Sequence, residues 1–427
     1  MSSSTTEHQA PAPAAATASG FAAVRASARR SALRAWPALA AYLAVRLIGT
    51  LVYALLSSGH GYAARGMFVF VDSGWYQKIA ERGYDTKISP NLSPFAFEPL
   101  YPGLMGLGHT VTGLSVTAVG LALTWIAAVA CAWALFELGR LLRDARTGVF
   151  FAVLWALLPS AVIQASLYAD TLAICLSAWA LYALLRRRWL TAGVLACLAG
   201  ATRPTADAIV LTVCLAAVVD FARHRGWIGR GGATSGGEAG VVGGAEAEAA
   251  AQARPGFGWR PWAAFLIAPI GAAGFLAYVA YRMGSISGYL NAQKKWGTGF
   301  GNAGQVFHRI KLGVEGSAHG YSNGQAHITT AVLLVVPILL VVMLVQRTRW
   351  EVCCYTLIVA AIVYTAIHDY TVVPREMLAA FPILLAPAGW LAKVRPAWLV
   401  WALILVLAVA AGWYGHFITV DGGAGYP

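Results

Sequence analysis

The residue of this sequence best suited to chemistry is Asp72, which separates the apolar run MFVFV from the aromatic pair Trp75 and Tyr76. A carboxylate at the lip of an apolar cavity can act as a general base and remove the proton of an acceptor hydroxyl. Trp75 and Tyr76 would then line the substrate site. A structural alternative is also open: the segment 73–82 has helical spacing of aromatics, and Asp72 would be its N-cap or stand just before it.

A second acid, Glu98, lies in the apolar segment FAFEPLYP. Pro99 and Pro102 restrict the backbone here and favour a turn that leads back toward the membrane. Glu98 is a candidate substrate-binding residue, and its alternative is a solvated loop position.

Two arginines are candidates for binding phosphate, because the planar guanidinium can bond two oxygens at once. Arg203 stands in ATRP and Arg375 in VVPRE, both at predicted outer ends of apolar segments. The alternative for each is an arginine that extends its charge to the membrane interface. Arg375 is the stronger candidate because polar residues flank it, and ionisable groups at this depth indicate function. These neighbours are His368, Asp369 and Glu376, of which Glu376 could pair with Arg375.

Two further groups of residues complete the candidate substrate site. Tyr168 and Asp170 mark a short outer turn, where Asp170 could bind a sugar hydroxyl or cap the following helix. Lys294, Lys295 and Trp296 suit a lipid phosphate or a sugar stacked on an indole, and an interfacial helix with an aromatic belt is the alternative. No metal or other cofactor is expected, because the histidines lack metal spacing and acids are too sparse for a magnesium site.

Composition places these residues in a membrane protein. The 427 residues are 59% hydrophobic and 11% charged, with a mean hydropathy of +0.63, whereas soluble domains carry about 25% charged residues. The net charge of +13 does not indicate nucleic acid, because the basic residues sit in short runs between apolar segments. The six cysteines lie in apolar stretches and predict neither disulfides nor a zinc site.

The apolar segments predict an all-α bundle of about eleven spans, each near the ~20 residues a bilayer requires. They cover roughly 36–57, 113–137, 148–166, 170–185, 189–203, 205–222, 262–282, 328–346, 352–368, 377–392 and 397–417. With the N-terminus in the cytoplasm, every inner connection is basic, as the positive-inside rule expects. The predicted location is therefore the plasma membrane, with the candidate residues on its outer side.

The chain divides into four predicted parts. Residues 1–35 form a disordered cytoplasmic tail. Residues 36–222 form an N-terminal membrane module that contains a long outer loop, 58–112. The Gly- and Ala-rich stretch 223–260 is a flexible cytoplasmic linker. Residues 261–427 form a C-terminal membrane module with a second long outer loop, 283–327, and the two outer loops are expected to pack together over a cavity.

Several of these segments together resemble the PIG-V-like mannosyltransferases, which are related to GPI mannosyltransferase 2 and belong to the GT-C glycosyltransferases. The resemblance rests on DSGWY followed by FEPLYP, on the stretch from PSAVIQASLYAD to GATRP, on NAQKKWGTGFGN and on PREMLAAFPILLAP. The chain departs from the family at Val71, where Trp is frequent, and at Glu98, where Phe is frequent. Its Ala-rich, Arg-over-Lys composition indicates an actinobacterial source.

The resemblance implies an inverting transferase that moves a sugar, commonly mannose, from a polyprenyl phosphate to an acceptor outside the cytoplasm. Asp72 would be the base and Asp170 would stand where the family often has an acid. The donor phosphate leaves as a stable anion, so a single base suffices, unlike the carboxylate pair of glycoside hydrolysis. Membrane lipids are expected partners, and a glycan, lipid or protein acceptor remains open.

Two other classes stay open at this point. A lipid or solute transporter would also be basic and polytopic, but transporters often carry internal repeats and sites near the midplane, and no repeat is evident here. A non-catalytic scaffold of a glycosylation complex is the third possibility. Loss of sugar transfer in Asp72→Asn, with the protein still folded, would distinguish the enzyme from both.

Overall fold

The computed structural model describes residues 13–59, 68–85, 93–227, 258–296, 303–315, 323–365 and 372–421, and these are organised almost entirely as helices. The first half contains α1 (Pro13–Ser58), α2 (Val71–Arg82), α3 (Leu100–Thr112), α4 (Val116–Leu142), α5 (Ala145–Ala156), α6 (Asp170–Leu185), α7 (Trp189–Gly200) and α8 (Asp207–His224). The second half contains α9 (Trp259–Ile267), α10 (Ile270–Met283), α11 (Gly288–Lys295), α12 (Ala303–Val314), α13 (Asn323–Val345), α14 (Trp350–Thr365), α15 (Val373–Glu376), α16 (Leu385–Leu391) and α17 (Ala397–His416). The predicted all-α class is confirmed.

Within the described ranges, six stretches of helix are long and apolar enough to cross a membrane: Arg29–Ser58, Val116–Leu142, Pro204–His224, Trp259–Met283, Gly324–Val345 and Ala397–Val420. Four apolar helices are shorter, namely α5, α6, α7 and α14. Together they follow the order of the predicted spans, and α6 has the predicted bounds of 170 and 185. The number of spans remains a prediction.

Three predicted segments differ in detail. Helix α1 begins at Pro13, inside the segment expected to be a disordered tail; this region is rich in alanine, the residue with the highest helix propensity. The predicted span 148–166 is α5 followed by a separate 3₁₀ turn, Ala161–Ala165. The predicted span 377–392 is a 3₁₀ segment, Met377–Leu384, that precedes α16 and contains Pro382. Of the predicted linker, 228–257 lies outside the described residues.

The basic connections meet at one end of the bundle. Arg187 pairs with Asp220 at 2.7 Å, and Arg349 donates to the carbonyl oxygen of Leu185 at 3.3 Å. These contacts join the ends of α6, α8 and α14. Arg143, which ends α4, bonds to Gln346, which follows α13. The sequence placed all these arginines on the same side, and the helix ends agree with that alternation. Which side is cytoplasmic remains a prediction.

Small residues let α4 and α5 approach closely, as is common where helices pack in membranes. A Cβ built on Gly148 would lie 2.5 Å from the carbonyl oxygen of Phe136, which is backbone and cannot rotate away. We expect Gly148→Ala to lower the free energy of unfolding in detergent by about 1–3 kcal/mol. Gly103→Ala is the control, because a Cβ there meets nothing within 4 Å. Equal stability of the two variants would contradict this packing.

Candidate active site

Four charged side chains form a chain of alternating sign. Arg375 Nη1 donates to Asp72 Oδ2 at 3.1 Å, and Arg375 Nε lies 3.8 Å from Asp170 Oδ1. Arg203 Nη1 in turn donates to Asp170 Oδ2 at 3.2 Å. The sequence analysis singled out all four residues separately, although Asp72 and Arg375 are 303 positions apart. The fold brings them together into one cluster, which we call the charge chain.

The first turn of α2 positions Asp72. Ser73 Oγ accepts a hydrogen bond from the Phe70 amide and donates one to the Leu167 carbonyl, both at 3.0 Å. The Leu167 amide donates to the Phe68 carbonyl at 2.9 Å. These bonds tie the start of α2 to the segment that leads into α6. Phe70 occupies the N-cap position of α2. The alternative of a capping Asp72 is therefore wrong, because the carboxylate lies inside the first turn and binds Arg375.

Asp170 and Arg203 are placed by the ends of two neighbouring helices. Asp170 is the first residue of α6, and Ala169 holds the cap position, so the alternative of a capping Asp170 is also wrong. Arg203 follows α7 and precedes the 3₁₀ turn Pro204–Ala206. The Leu100 amide donates to the Ala201 carbonyl at 2.9 Å and joins the first outer loop to the end of α7.

The charge chain lies at the ends of two short helices, because Asp170 begins α6 and Arg203 follows α7. At 1.5 Å per residue, the 16 residues of α6 rise about 24 Å and the 12 of α7 about 18 Å. A hydrocarbon core is roughly 30 Å thick, and the 27 residues of α4 rise about 40 Å. The four side chains are 4–13% exposed, and Asp72 is the most exposed at 13%. Asp72 and Arg203, at 13% and 11%, are thus the more exposed ends of the charge chain, and Arg375 and Asp170 lie deeper between them.

Buried donors without an acceptor surround the charge chain. Arg203 Nε, Arg375 Nε and Tyr168 Oη are buried and have no hydrogen-bond partner among the described residues. The Arg375 guanidinium lies 5.0 Å from the centre of the Tyr168 ring, within the range of a cation–π contact. Two of these donors belong to the arginines of the charge chain and the third is the neighbouring Tyr168 hydroxyl. Because buried donors are normally hydrogen-bonded, they indicate a site for a group rich in acceptor oxygens.

Glu98 joins the two long loops that the sequence predicts to be on the outer side. Its Oε1 accepts a hydrogen bond from Tyr289 Oη at 2.7 Å, and Gln293 Nε2 donates to the same hydroxyl at 2.8 Å. Gln293 also donates to the Ala96 carbonyl at 3.1 Å. Glu98 is only 6% exposed, so the alternative of a solvated loop residue is wrong. Burial raises the pKa of Glu98 to about 7, although the bond from Tyr289 opposes that shift.

This pKa predicts how stability depends on pH. Between about pH 4.5 and 7 the folded protein holds a proton at Glu98 that the unfolded chain has lost. Unfolding then releases a proton, so the free energy of unfolding falls as pH rises through this window. The fall attributable to Glu98 is at most about 3 kcal/mol. Thermal unfolding in detergent across this range should show a shallower decline for Glu98→Gln than for the unmodified protein. Parallel curves would contradict the assignment.

An aromatic cluster lies beside Glu98. Trp75 stacks on Phe97 with ring centres 6.2 Å apart, and Trp296 meets both rings edge-on at 5.4 and 5.1 Å. Trp296 Nε1 donates to the Ser93 carbonyl at 3.1 Å. Trp75 and Trp296, which were predicted as substrate-binding residues of two separate loops, are thus in contact. Tyr76 is 2% exposed and packs edge-on against Phe97 and Tyr101, which gives it a place in the core.

The remaining predicted residues are less closely placed. Lys294 and Lys295 are exposed at the end of α11. Arg375 pairs with Asp72 and Asp170, and its pairing with Glu376 stays a prediction. His368 and Asp369 lie outside the described residues. Within the described ranges, no three His, Cys, Asp or Glu side chains are arranged to hold a metal ion.

Three residues of the site escaped the sequence analysis. All three lie near Glu98. The charge of Asp207 contributes to the raised pKa of Glu98. Tyr289 donates a hydrogen bond to Glu98, and Gln293 donates one to Tyr289. An acid at the start of an apolar segment is a recognisable signal for Asp207. Tyr289 and Gln293 have no such signal, because their role depends on contact between distant loops.

Comparisons with known proteins show that this chain is similar to solved structures in fold, and they show no similarity at the level of sequence families. No protein-family model matches the chain, and no curated protein matches it by sequence. Among solved structures, it is similar to ArnT from Cupriavidus metallidurans in the apo state, at 13% identity and a TM-score of 0.49, covering 86% of this chain and 61% of ArnT. The same ArnT bound to undecaprenyl phosphate gives 14% identity, a TM-score of 0.49 and coverage of 90% and 65%.

A third similar structure is the oligosaccharyltransferase of Archaeoglobus fulgidus in complex with zinc and sulfate. It gives 16% identity, a TM-score of 0.44 and coverage of 88% of this chain and 52% of that chain. The chain thus spans less than two thirds of the length of each of these proteins. None of these likenesses assigns a role to any residue of this chain.

Proposed function

We propose that this protein is a membrane glycosyltransferase that moves a sugar from a polyprenyl-phosphate donor to an acceptor on the outer side of the plasma membrane. The observation that carries the proposal is the charge chain, which has a carboxylate, Asp72, at its more exposed end and buried donors without a hydrogen-bond partner on its two arginines and on Tyr168. The carboxylate can take the proton of an acceptor hydroxyl, and the donors can bind the oxygens of a phosphate leaving group.

The reaction follows from this arrangement. The acceptor hydroxyl attacks the anomeric carbon while Asp72 takes its proton. The bond between that carbon and the phosphate oxygen breaks on the opposite face, so the configuration inverts. The phosphate leaves with the electron pair, and Arg203 Nε, Arg375 Nε and Tyr168 Oη are the donors available to its oxygens. Charge-assisted hydrogen bonds of this kind stabilise charge that develops in the transition state.

The short helices beside the charge chain are compatible with a lipid donor. A polyprenyl chain is itself soluble in the bilayer, so it can approach the shortened helices α6 and α7 from the side without crossing water. The acceptor would approach Asp72 from the aqueous side. The basic helix ends lie at the opposite end of the bundle, and the positive-inside rule would make that end cytoplasmic.

The sugar and its contacts form the finer part of the proposal. Mannose is the sugar that the resemblance of the loop segments implies. Trp75 and Trp296 offer indole surfaces near Glu98 for a sugar ring, and Asp170 and Glu98 offer oxygens for its hydroxyls. Lys294 and Lys295, exposed on α11, would lie toward lipid phosphates at the interface. The acceptor is a glycan, a lipid or a protein hydroxyl.

Purified protein in proteoliposomes provides the test. We expect radiolabelled mannose to pass from polyprenyl-phosphate mannose to an acceptor fraction from membranes, with release of one polyprenyl phosphate per transfer. Donors carrying glucose or a pentose would identify the sugar. If no donor supports transfer while labelled lipid crosses between leaflets, the protein is a transporter and the proposal is wrong.

A further inference from the structure

An apolar groove lies at the end of the bundle opposite Asp72. Its volume is about 390 Å³, and it is lined by α8, α13 and α14 through Leu215, Leu344, Thr348, Trp350, Cys354 and Leu357, among others. Helix α8 fixes its position, because Asp207 begins that helix beside Arg203 and Arg223 ends it, roughly 24 Å away. The groove is therefore separate from the charge chain.

Unpartnered donors stand at the mouth of this groove. The Arg223 guanidinium lies 6.0 Å from the centre of the Trp350 ring. Both Arg223 Nε and Trp350 Nε1 are buried, and neither has a hydrogen-bond partner among the described residues. Two neighbouring donors that lack an acceptor favour a ligand that supplies acceptor oxygens.

The charge around the mouth is mostly positive. Arg223 lies in the last turn of α8 and Arg225 follows the helix, while Arg347 and Arg349 precede α14. The nearby acid, Glu351, accepts a hydrogen bond from Arg349 at 3.0 Å, which offsets its charge, although its Oε2 has no partner. Asp220 is engaged by Arg187. An anionic group is thus favoured beside Arg223.

We propose that this groove binds an anionic glycerophospholipid of the leaflet at the basic end of the bundle. Its acyl chain would lie against Leu215, Leu344 and Leu357, which are 44–54% exposed on membrane helices. Its phosphate would accept hydrogen bonds from Arg223 Nε and Trp350 Nε1. Apolar side chains contact lipid at any position along a membrane helix. Arg223 Nε and Trp350 Nε1, in contrast, would bind a phosphate at one defined position. This is the feature that distinguishes a specific site from general solvation by lipid.

Native mass spectrometry of the detergent-purified full chain tests the proposal with phosphatidylglycerol and phosphatidylcholine of identical acyl chains. We expect retention of phosphatidylglycerol over phosphatidylcholine. Arg223→Gln should weaken phosphatidylglycerol binding about tenfold, the usual effect of losing a hydrogen bond to a charged group. Trp350→Phe keeps the apolar ring but removes Nε1, and it should weaken binding severalfold. Arg225→Gln removes an equal charge from an exposed position two residues away, and it should change binding less than twofold.

Three results would overturn the proposal. Equal retention of the two lipids would exclude an anionic headgroup site. Equal losses in Arg223→Gln and Arg225→Gln would indicate general attraction to basic residues. Displacement of the lipid by millimolar glycerol phosphate would indicate a site for free phosphate. If Arg223→Gln does not fold, the Trp350→Phe result decides, and unchanged binding in that variant would contradict the site.

Discussion

Asp72→Asn should lower the rate of sugar transfer by about 10²–10⁴-fold, the range typical of losing a general base. The amide is nearly the same size as the carboxylate, and its oxygen can still accept the 3.1 Å bond from Arg375 Nη1. It cannot take the proton of the acceptor hydroxyl. The loss should therefore fall on kcat, with little change in donor binding or in the temperature of unfolding. Initial rates with radiolabelled donor, measured at several donor concentrations, check this.

Asp85→Asn is the matched control for that variant. Asp85 belongs to the same predicted loop and also pairs with a cation, Lys78 at 2.9 Å, but it is 30% exposed and is not one of the four residues of the charge chain. It should keep activity within about twofold, because exposed ion pairs contribute little. Normal transfer by Asp72→Asn, or equal losses in both variants, would remove Asp72 from the reaction.

Arg375→Lys should lower transfer by about 10²–10³-fold, comparable to removing one preorganised donor from a transition-state site. Lysine keeps the positive charge but is a point charge on a flexible stem. Its single ammonium group cannot reproduce both contacts of the Arg375 guanidinium, with Asp72 through Nη1 and with Asp170 through Nε. We expect kcat to fall and donor affinity to weaken. Rates and donor binding measured separately would show both effects.

The matched control for this variant is Arg282→Lys. Arg282 bonds to the Asp85 carbonyl at 2.6 Å and to Tyr278 Oη at 2.7 Å, so it is also fixed by two partners, but these lie outside the charge chain. Its replacement should leave transfer within about threefold. If Arg375→Lys behaves in the same way, the fork geometry of Arg375 is not required, and the proposed phosphate site is incorrect.

Much of the fold could be predicted because a bilayer imposes a simple rule on sequence: spans are apolar and about 20 residues long. The bounds of α6 follow from Asp170 and Arg186, which are the first charged residues on either side of an apolar run. The 3₁₀ segment Met377–Leu384 could not be predicted in this way. Hydropathy does not depend on backbone geometry, and non-helical backbone is tolerated in a membrane protein where it is buried.

The site was predictable residue by residue but not as an arrangement. Asp72, Asp170, Arg203 and Arg375 stand out because charges are rare in apolar surroundings and each must find a partner. Their pairing was not predictable, because sequence neighbours offered only Glu376 as a partner of Arg375, and the contacts with Asp72 and Asp170 arise from the fold. The burial of Glu98 was missed for the same reason, since Tyr289 and Gln293 come from a loop about 190 residues away.

The most direct test is a structure of the purified protein with undecaprenyl phosphate bound. We expect the phosphate within hydrogen-bond distance of Arg203 Nε, Arg375 Nε or Tyr168 Oη, with the isoprenoid chain leaving sideways past α6 or α7 and Asp72 open to the aqueous side. A phosphate bound elsewhere, with these three donors still unpartnered, would contradict the proposed glycosyltransferase site.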